Sequence, residues 1–276
     1  MKKTKTVTTL ILIAAMLLTA CSSGGNDGRS SRSDRKEKDV KEKETEEKFE
    51  KEETEVLESS ETTVEEQQTW IQNGDYIVFG HYEQDGNTDN GPEPLEWEVV
   101  REEDGKILLI SRYVIDCQPY NTTNMEVTWE TCSLREWLND DFLNEAFNAN
   151  EQSHIIETPL SNPDNEFDGS KGGNDTTDKV FCLSVEEILD NYEFQDWNEE
   201  LFGGSSKSLF TEVTKYAEDQ GVEKADNGPG KWWLRSSLRE NVYACGVIWK
   251  GAGWSVGYSV DDDEIGVRPA LYLSVK

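Results

Sequence analysis

The sequence predicts an α+β domain over residues 70–276, with antiparallel strands from both ends and helices in the middle, after a disordered charged tether. Three observations predict it. Short apolar, β-branched and aromatic stretches follow Trp70 and recur after Lys231, several with the period of two that marks a half-buried strand. Between them, Leu134, Trp137, Leu138, Phe142 and Phe147 recur at helical spacings. Residues 22–69 hold few apolar residues and keep no period, so they cannot bury enough surface to offset the entropy of ordering.

The chain opens with Lys2, Lys3 and Lys5 and the apolar run Leu10–Leu18, too short for a permanent membrane span but fitting a signal-peptide core. Leu18-Thr19-Ala20-Cys21 then resembles the bacterial lipobox. That resemblance implies a signal peptide over residues 1–20, diacylation of Cys21, and a mature protein anchored in the cell membrane on its extracytoplasmic side. A charged tether, residues 21–69, follows. As a random coil it spans about 40 Å, and stretched about 160 Å. It reads as a spacer, with an interaction tail as the alternative.

In the domain, Asp75–Tyr82 and Leu95–Val100 read as strands joined by the polar loop 83–94, and Lys106–Ser111 as a third. Ser133 with Glu136, and Ser184 with Glu187, have capping-box spacing at the starts of two helices. Residues 208–220 read as another helix, closed by Gly221. A loop rich in Asn, Asp and Gly (162–178) precedes a short strand, Lys179–Leu183. The terminal block adds strands at 232–235, 242–249, 254–260 and 266–274.

Three motifs stand out: Trp129-Glu130-Thr131-Cys132-Ser133-Leu134-Arg135-Glu136-Trp137-Leu138-Asn139, Trp232-Trp233-Leu234-Arg235-Ser236, and Gly266-Val267-Arg268-Pro269-Ala270-Leu271. With the Gly74–Gly80 opening, they resemble a bacterial domain-of-unknown-function family. The terminal block is also similar to C-type-lectin-like domains of the formylglycine-generating-enzyme type. This second resemblance implies a single C-type-lectin-like domain that displays the segment between the two arginine motifs to a ligand. It does not bring the oxidase activity, because that chemistry needs a copper-binding cysteine pair and only Cys245 lies in this region.

The formal charge of −30 is only partly the tether's, since residues 70–276 alone hold 41 acidic and 15 basic residues. Such acidity repels nucleic acid and suits solubility, a cation or a basic partner. Tyr243, Trp249, Trp254 and Tyr258 beside Asp261, Asp262 and Asp263 combine stacking faces with hydroxyl or cation acceptors, and form the expected ligand-binding surface. Core packing is the alternative for each aromatic. Arg235 and Arg268, inside apolar motifs, read as hydrogen-bonded anchors, and Trp129, Trp137, Trp232 and Trp233 as core. Asp164, Glu166, Asp168, Asp175 and Asp178 offer oxygens for calcium without EF-hand spacing, so a solvated acidic loop is the alternative. Calcium is the one cofactor considered. Cys117, Cys132, Cys182 and Cys245 are open to pairing outside the cytoplasm, and equally suit buried thiols. Neither His81 nor His154 lies in a catalytic motif. The expectation is a lipid-anchored module binding a carbohydrate, peptide or protein of the cell surroundings. An envelope hydrolase using paired carboxylates and a purely structural envelope protein are the alternatives.

Overall fold

Ile71–Asn73 (β1), Tyr76–Tyr82 (β2), Glu93–Glu103 (β3) and Lys106–Ser111 (β4) form an antiparallel meander, and Asp116–Cys117 (β5) joins a second sheet. A 3-10 turn, Trp129–Thr131, leads into Ser133–Trp137 (α1), a π-helical turn at Leu138–Phe142, Leu143–Ala146 (α2) and Ala149–His154 (α3). Thr158–Leu160 (β6), Thr176–Asp178 (β7) and Val180–Phe181 (β8) precede Val185–Asn191 (α4). Gln195–Asn198 (β9) and Gly203–Ser205 (β10) pair with each other, and Lys215–Gln220 (α5) follows. The terminal block supplies Trp232–Leu238 (β11), Tyr243–Val247 (β12), Gly257–Ser259 (β13), Gly266–Val267 (β14) and Ala270–Ser274 (β15).

This computed structural model describes residues 70–74, 76–198, 203–206, 209–226, 228–248 and 257–275. They lie in one compact unit, Glu66–Lys276. The residues expected to form a signal peptide and tether (1–69, with Cys21), and Trp249 and Trp254, lie outside the described residues. Among the described residues no helix is long and apolar enough to cross a membrane.

The architecture is mixed, with several antiparallel sheets and few helices. The larger sheet has six strands in the order β1-β2-β3-β4-β15-β8, all antiparallel, so the last strand pairs beside the opening meander. The second has five in the order β13-β12-β11-β14-β5, and is antiparallel except where β11 meets β14. The terminal stretch 266–274, expected as one strand, is two: it leaves the second sheet at Arg268-Pro269 and enters the first. Arg268 is fully buried at this crossing. Its Nε donates to the Ser111 carbonyl at 2.7 Å and a terminal nitrogen to Glu98 at 2.8 Å.

The helical segment packs on the first sheet through Phe147, whose ring lies 5.1 Å from Phe79 and 6.2 Å from Trp97. Gly80, at φ +74°, makes this approach feasible: a Cβ there would meet the Phe147 ring at 2.5 Å. Leu134, Leu138, Phe142 and Phe147 are buried as the spacing predicts, and burying each such side chain contributes roughly 1.5–3 kcal/mol.

Local expectations fare unevenly. Ser184 and Glu187 form the capping box of α4, each bonding the other's backbone N–H. Ser133 does not cap α1; the cap position is Cys132, whose side chain does not bond the helix N–H groups and instead donates to the Trp129 carbonyl. The expected helix over 208–220 is shorter: Thr214 caps it and Gly221, at φ +120°, ends it. Upstream of Thr214, Glu212 and Val213 instead form isolated bridges to Pro229 and Val114.

Candidate functional site

The Trp129–Asn139 motif lines a cleft, and the Trp232–Ser236 motif braces the wall opposite it. The first wall of the cleft is the segment after β5, residues 118–122. The terminal block holds that segment by three hydrogen bonds: Trp233 Nε1 donates to the Gln118 carbonyl at 2.8 Å, the Tyr120 hydroxyl to the Arg235 carbonyl at 2.7 Å, and the Asn121 N–H to the Val260 carbonyl at 2.7 Å. Its second wall is α1 and the π turn. The free N–H groups at the start of α1 turn to the first wall, Ser133 donating to Asn121 Oδ1 and Leu134 to the Tyr120 carbonyl. In return Ser133 Oγ accepts from the Thr122 N–H at 3.0 Å, which is where its expected capping hydroxyl is spent.

The cleft between these walls has a volume of about 260 Å³ and is open to solvent. Gln118, Pro119 and Thr122 line one side; Ser133, Leu134, Glu136, Trp137, Asp140 and Asp141 line the other. Glu136, Asp140 and Asp141 are exposed, while Trp137 is half-buried with its ring 5.5 Å from Phe142. The π turn keeps Leu138 and Phe142 in the core and leaves consecutive carboxylates at the mouth; such turns recur at functional sites. Among the described residues, no lysine or arginine lines the cleft.

Below it, buried Asp116 accepts from the Tyr82 hydroxyl and from the Cys117 N–H, and lies 3.4 Å from Gln118 Nε2. Burial pushes the Asp116 carboxyl above the usual range, against the lowering effect of the Tyr82 bond.

Of the expected ligand surface, Tyr243, Tyr258, Asp261, Asp262 and Asp263 are described, the first two on the paired strands β12 and β13. Tyr258 is edge-on to Trp233 at 5.9 Å with Lys231 Nζ 5.0 Å from its ring, and burial raises the pKa of its hydroxyl. Tyr243 is half-buried beneath the Arg239 guanidinium. Asp261 is held below its ordinary pKa by bonds from Ser259 and Asn124. Asp262 accepts from the Glu264 N–H, and the Asp263 carbonyl from Cys117 Sγ. None of these five lines the cleft.

The five carboxylates considered for calcium have separate tasks. Asp164 bonds Lys171 and the Gly172 N–H, and Asp175 the Asn162 N–H. Asp168 is held below its ordinary pKa although burial opposes it, because the N–H groups of Ser170 and Arg239 donate to it. Glu166 lines a small groove beside Phe167 and Leu189. Buried Asp178 accepts from Trp129 Nε1, Arg135 Nε and the Thr176 hydroxyl. Among the described residues, the acidic side chains whose oxygens do converge, within 4.8 Å, are Glu83, Asp85 and Glu93. They organise the β2–β3 loop by accepting from its backbone N–H groups.

Arg235 is buried against Glu187, Asn162 and the carbonyls of Cys182 and Ser161, so it anchors β11 to α4. Cys117, Cys132, Cys182 and Cys245 are free thiols, the last three buried. Burial pushes Cys132 and Cys245 up to about 12. The sequence reading placed Trp137 in the core, took Glu136 for a capping partner of Ser133, and passed over Asp140 and Asp141. The signal was present as a stripe, Ser133, Glu136, Trp137 and Asp140, at helical spacing beside the apolar Leu134 and Leu138.

Fold and cleft together define an acidic mixed domain of several antiparallel sheets and few helices, in which one motif lines an open polar cleft and a second braces its opposite wall. The chain belongs to the family described as Domain of unknown function (DUF6273), which matches residues 104–275, more than half of it and all three motifs. Comparison with curated proteins and with solved structures found no match.

Proposed function

We propose that this is a lipoprotein, anchored through Cys21 on the outer side of the cell membrane, that presents a C-type-lectin-like ligand-binding module for a carbohydrate, peptide or protein. The observation that carries it is the open cleft lined by the Trp129–Asn139 motif, whose other wall is held by bonds to Trp233 and Arg235. A half-buried tryptophan beside hydroxyls and carboxylates is the equipment of a recognition surface. Recognition is favoured over hydrolysis because the carboxylates that line the cleft, Glu136, Asp140 and Asp141, are all exposed, whereas catalytic groups gain their electrostatic strength where water is excluded. The lipobox and charged tether support the anchoring half of the proposal.

Two measurements test it. Cys21→Ala should move the protein from the membrane fraction to the medium, and retention in the membrane would refute the anchor. A screen of glycans, peptides and cell-wall fragments against the full-length chain, with and without calcium, should return a ligand whose binding drops when the cleft side chains are changed. A ligand indifferent to those changes would remove the cleft from the proposal.

A further inference from the structure

We infer that the protein has a second binding site, a groove beside β11 that takes an aliphatic residue of a peptide, its side chain in an apolar trough and its neutral backbone carbonyl in a hydroxyl-lined chamber. The site stands apart from the cleft and does not depend on it, since among the described residues none lines both. The chamber is lined by Ser184 and residues 235–237 together with the loop residues Asn162 and Gly172, and has a volume of about 10 Å³. That is room for about one oxygen atom. Ser237 is 4% exposed, and its hydroxyl has no partner among the described residues. A buried hydroxyl left unbonded costs stability, so this one marks a place that an outside group completes. Its neighbours add to the demand. Ser184 Oγ accepts from the Glu187 N–H at 3.1 Å and Ser236 Oγ from the Val185 N–H at 3.0 Å, and neither hydroxyl donates among the described residues.

Hydroxyl hydrogens around an atom-sized space require an acceptor. The charge decides which. Arg235, in the chamber wall, spends its guanidinium on Glu187, Asn162 and the carbonyls of Ser161 and Cys182, so it offers nothing to an anion. Asp164, Glu166 and Glu186 line the adjoining trough and repel one. A neutral carbonyl oxygen is what fits. The trough shares Pro163 and Ser236 with the chamber and has a volume of about 60 Å³. Pro163, Phe167, Val185 and Leu189 give it apolar walls. Against the roughly 150 Å³ that encloses a benzene ring, it holds about two to four carbons, the size of a valine side chain. A peptide residue carries both parts, alkyl group and carbonyl, a bond or two apart, whereas a sugar ring would press hydroxyls against alkyl walls. The frame is already closed. Asn165 Nδ2 donates to the Ser237 carbonyl at 2.7 Å, and a Cβ on Gly172 would collide with the Asn162 and Pro163 carbonyls, so little ordering is left for the ligand to drive.

The probe is the neutral peptide acetyl-alanyl-valyl-alanine amide, titrated against the full-length chain in lipid nanodiscs and followed by saturation-transfer NMR. The expected result is saturable binding, with the valine methyls as the most strongly saturated protons. Ser237→Ala should weaken it about three- to tenfold, through the loss of one hydrogen bond. Leu189→Glu should weaken it about tenfold or more, by setting a carboxylate against the alkyl group. Neither change should lower the melting temperature by more than about 2 °C, because the Ser237 hydroxyl bonds nothing in the fold and Leu189 is 36% exposed. Acetyl-triglycine amide, which lacks the alkyl group, should bind about fivefold or more weakly than the valine peptide. Absence of saturable peptide binding, or binding that neither variant weakens, would overturn the inference. So would a Ser237→Ala protein that melts well below wild type yet binds as tightly, since the hydroxyl would then serve the fold and not a ligand. Binding of tri-N-acetylchitotriose that is lost in Ser237→Ala, with the peptide inert, would overturn the peptide assignment in favour of a glycan.

Discussion

Asp178 is the carboxylate on which the Trp129–Asn139 motif hangs, and removing it should loosen the second wall of the cleft. Its side chain is 1% exposed and receives Trp129 Nε1 at 2.9 Å, Arg135 Nε at 2.7 Å and the Thr176 hydroxyl at 2.8 Å. In Asp178→Ala the indole N–H stays buried without an acceptor, which costs about 1–3 kcal/mol. Arg135 also loses its ion-pair partner, but it is 28% exposed and water recovers part of that loss, leaving about 1 kcal/mol. A total of about 3 kcal/mol, in a domain of this size, lowers the melting temperature by roughly 6–12 °C. Asp178→Asn keeps the shape and one acceptor and should cost about half as much. Scanning calorimetry on wild type and both variants, in calcium and in chelator, decides the matter. An Asp178→Ala protein melting within about 2 °C of wild type would refute the structural role. Chelator destabilising the wild type as much as the substitution does would return Asp178 to metal binding.

The buried Asp116 makes a pH prediction. Its folded pKa is raised, by burial above all, so the folded protein holds this proton more tightly than the unfolded chain. That contribution is complete below the unfolded carboxylate pKa and is lost as pH rises through the raised value. The stability of wild type minus that of Asp116→Asn should therefore fall with pH across this window; a flat or rising difference in urea melts would contradict the assignment. Thiol chemistry gives another. Cys132 and Cys245, buried and pushed up to about 12, should resist iodoacetamide in the native protein. After unfolding without reductant, Cys117, Cys132, Cys182 and Cys245 should all be alkylated, and a missing pair by mass spectrometry would reveal a disulfide.

What the sequence determined by itself was local. The β4 strand Lys106–Ser111 was readable residue for residue, because a near-continuous apolar run ends at turn residues. The Ser184–Glu187 box was readable because both partners lie within one helical turn. The buried face of Leu134, Leu138, Phe142 and Phe147 followed from spacing alone. Arg235 and Arg268 could be assigned as anchors because a guanidinium among apolar residues must be bonded, although their partners could not be named.

Only the tertiary structure decided the rest. Ser133 had the right spacing for a cap, yet the Thr122 N–H, eleven residues upstream, claimed its hydroxyl. One apolar stretch became β14 and β15 because the second sheet ends at Val267 and the first has a place between β4 and β8. Asp178 looked like the acidic neighbours in its loop until the fold brought Trp129 and Arg135 to it across more than forty residues. The cleft itself has no counterpart along the chain. Its walls lie next to each other in sequence, but the Trp233 and Arg235 bonds that set the first wall come from over a hundred residues away. Helical spacing determines which side chains share a face; which face meets solvent is settled only when distant backbone groups find their partners.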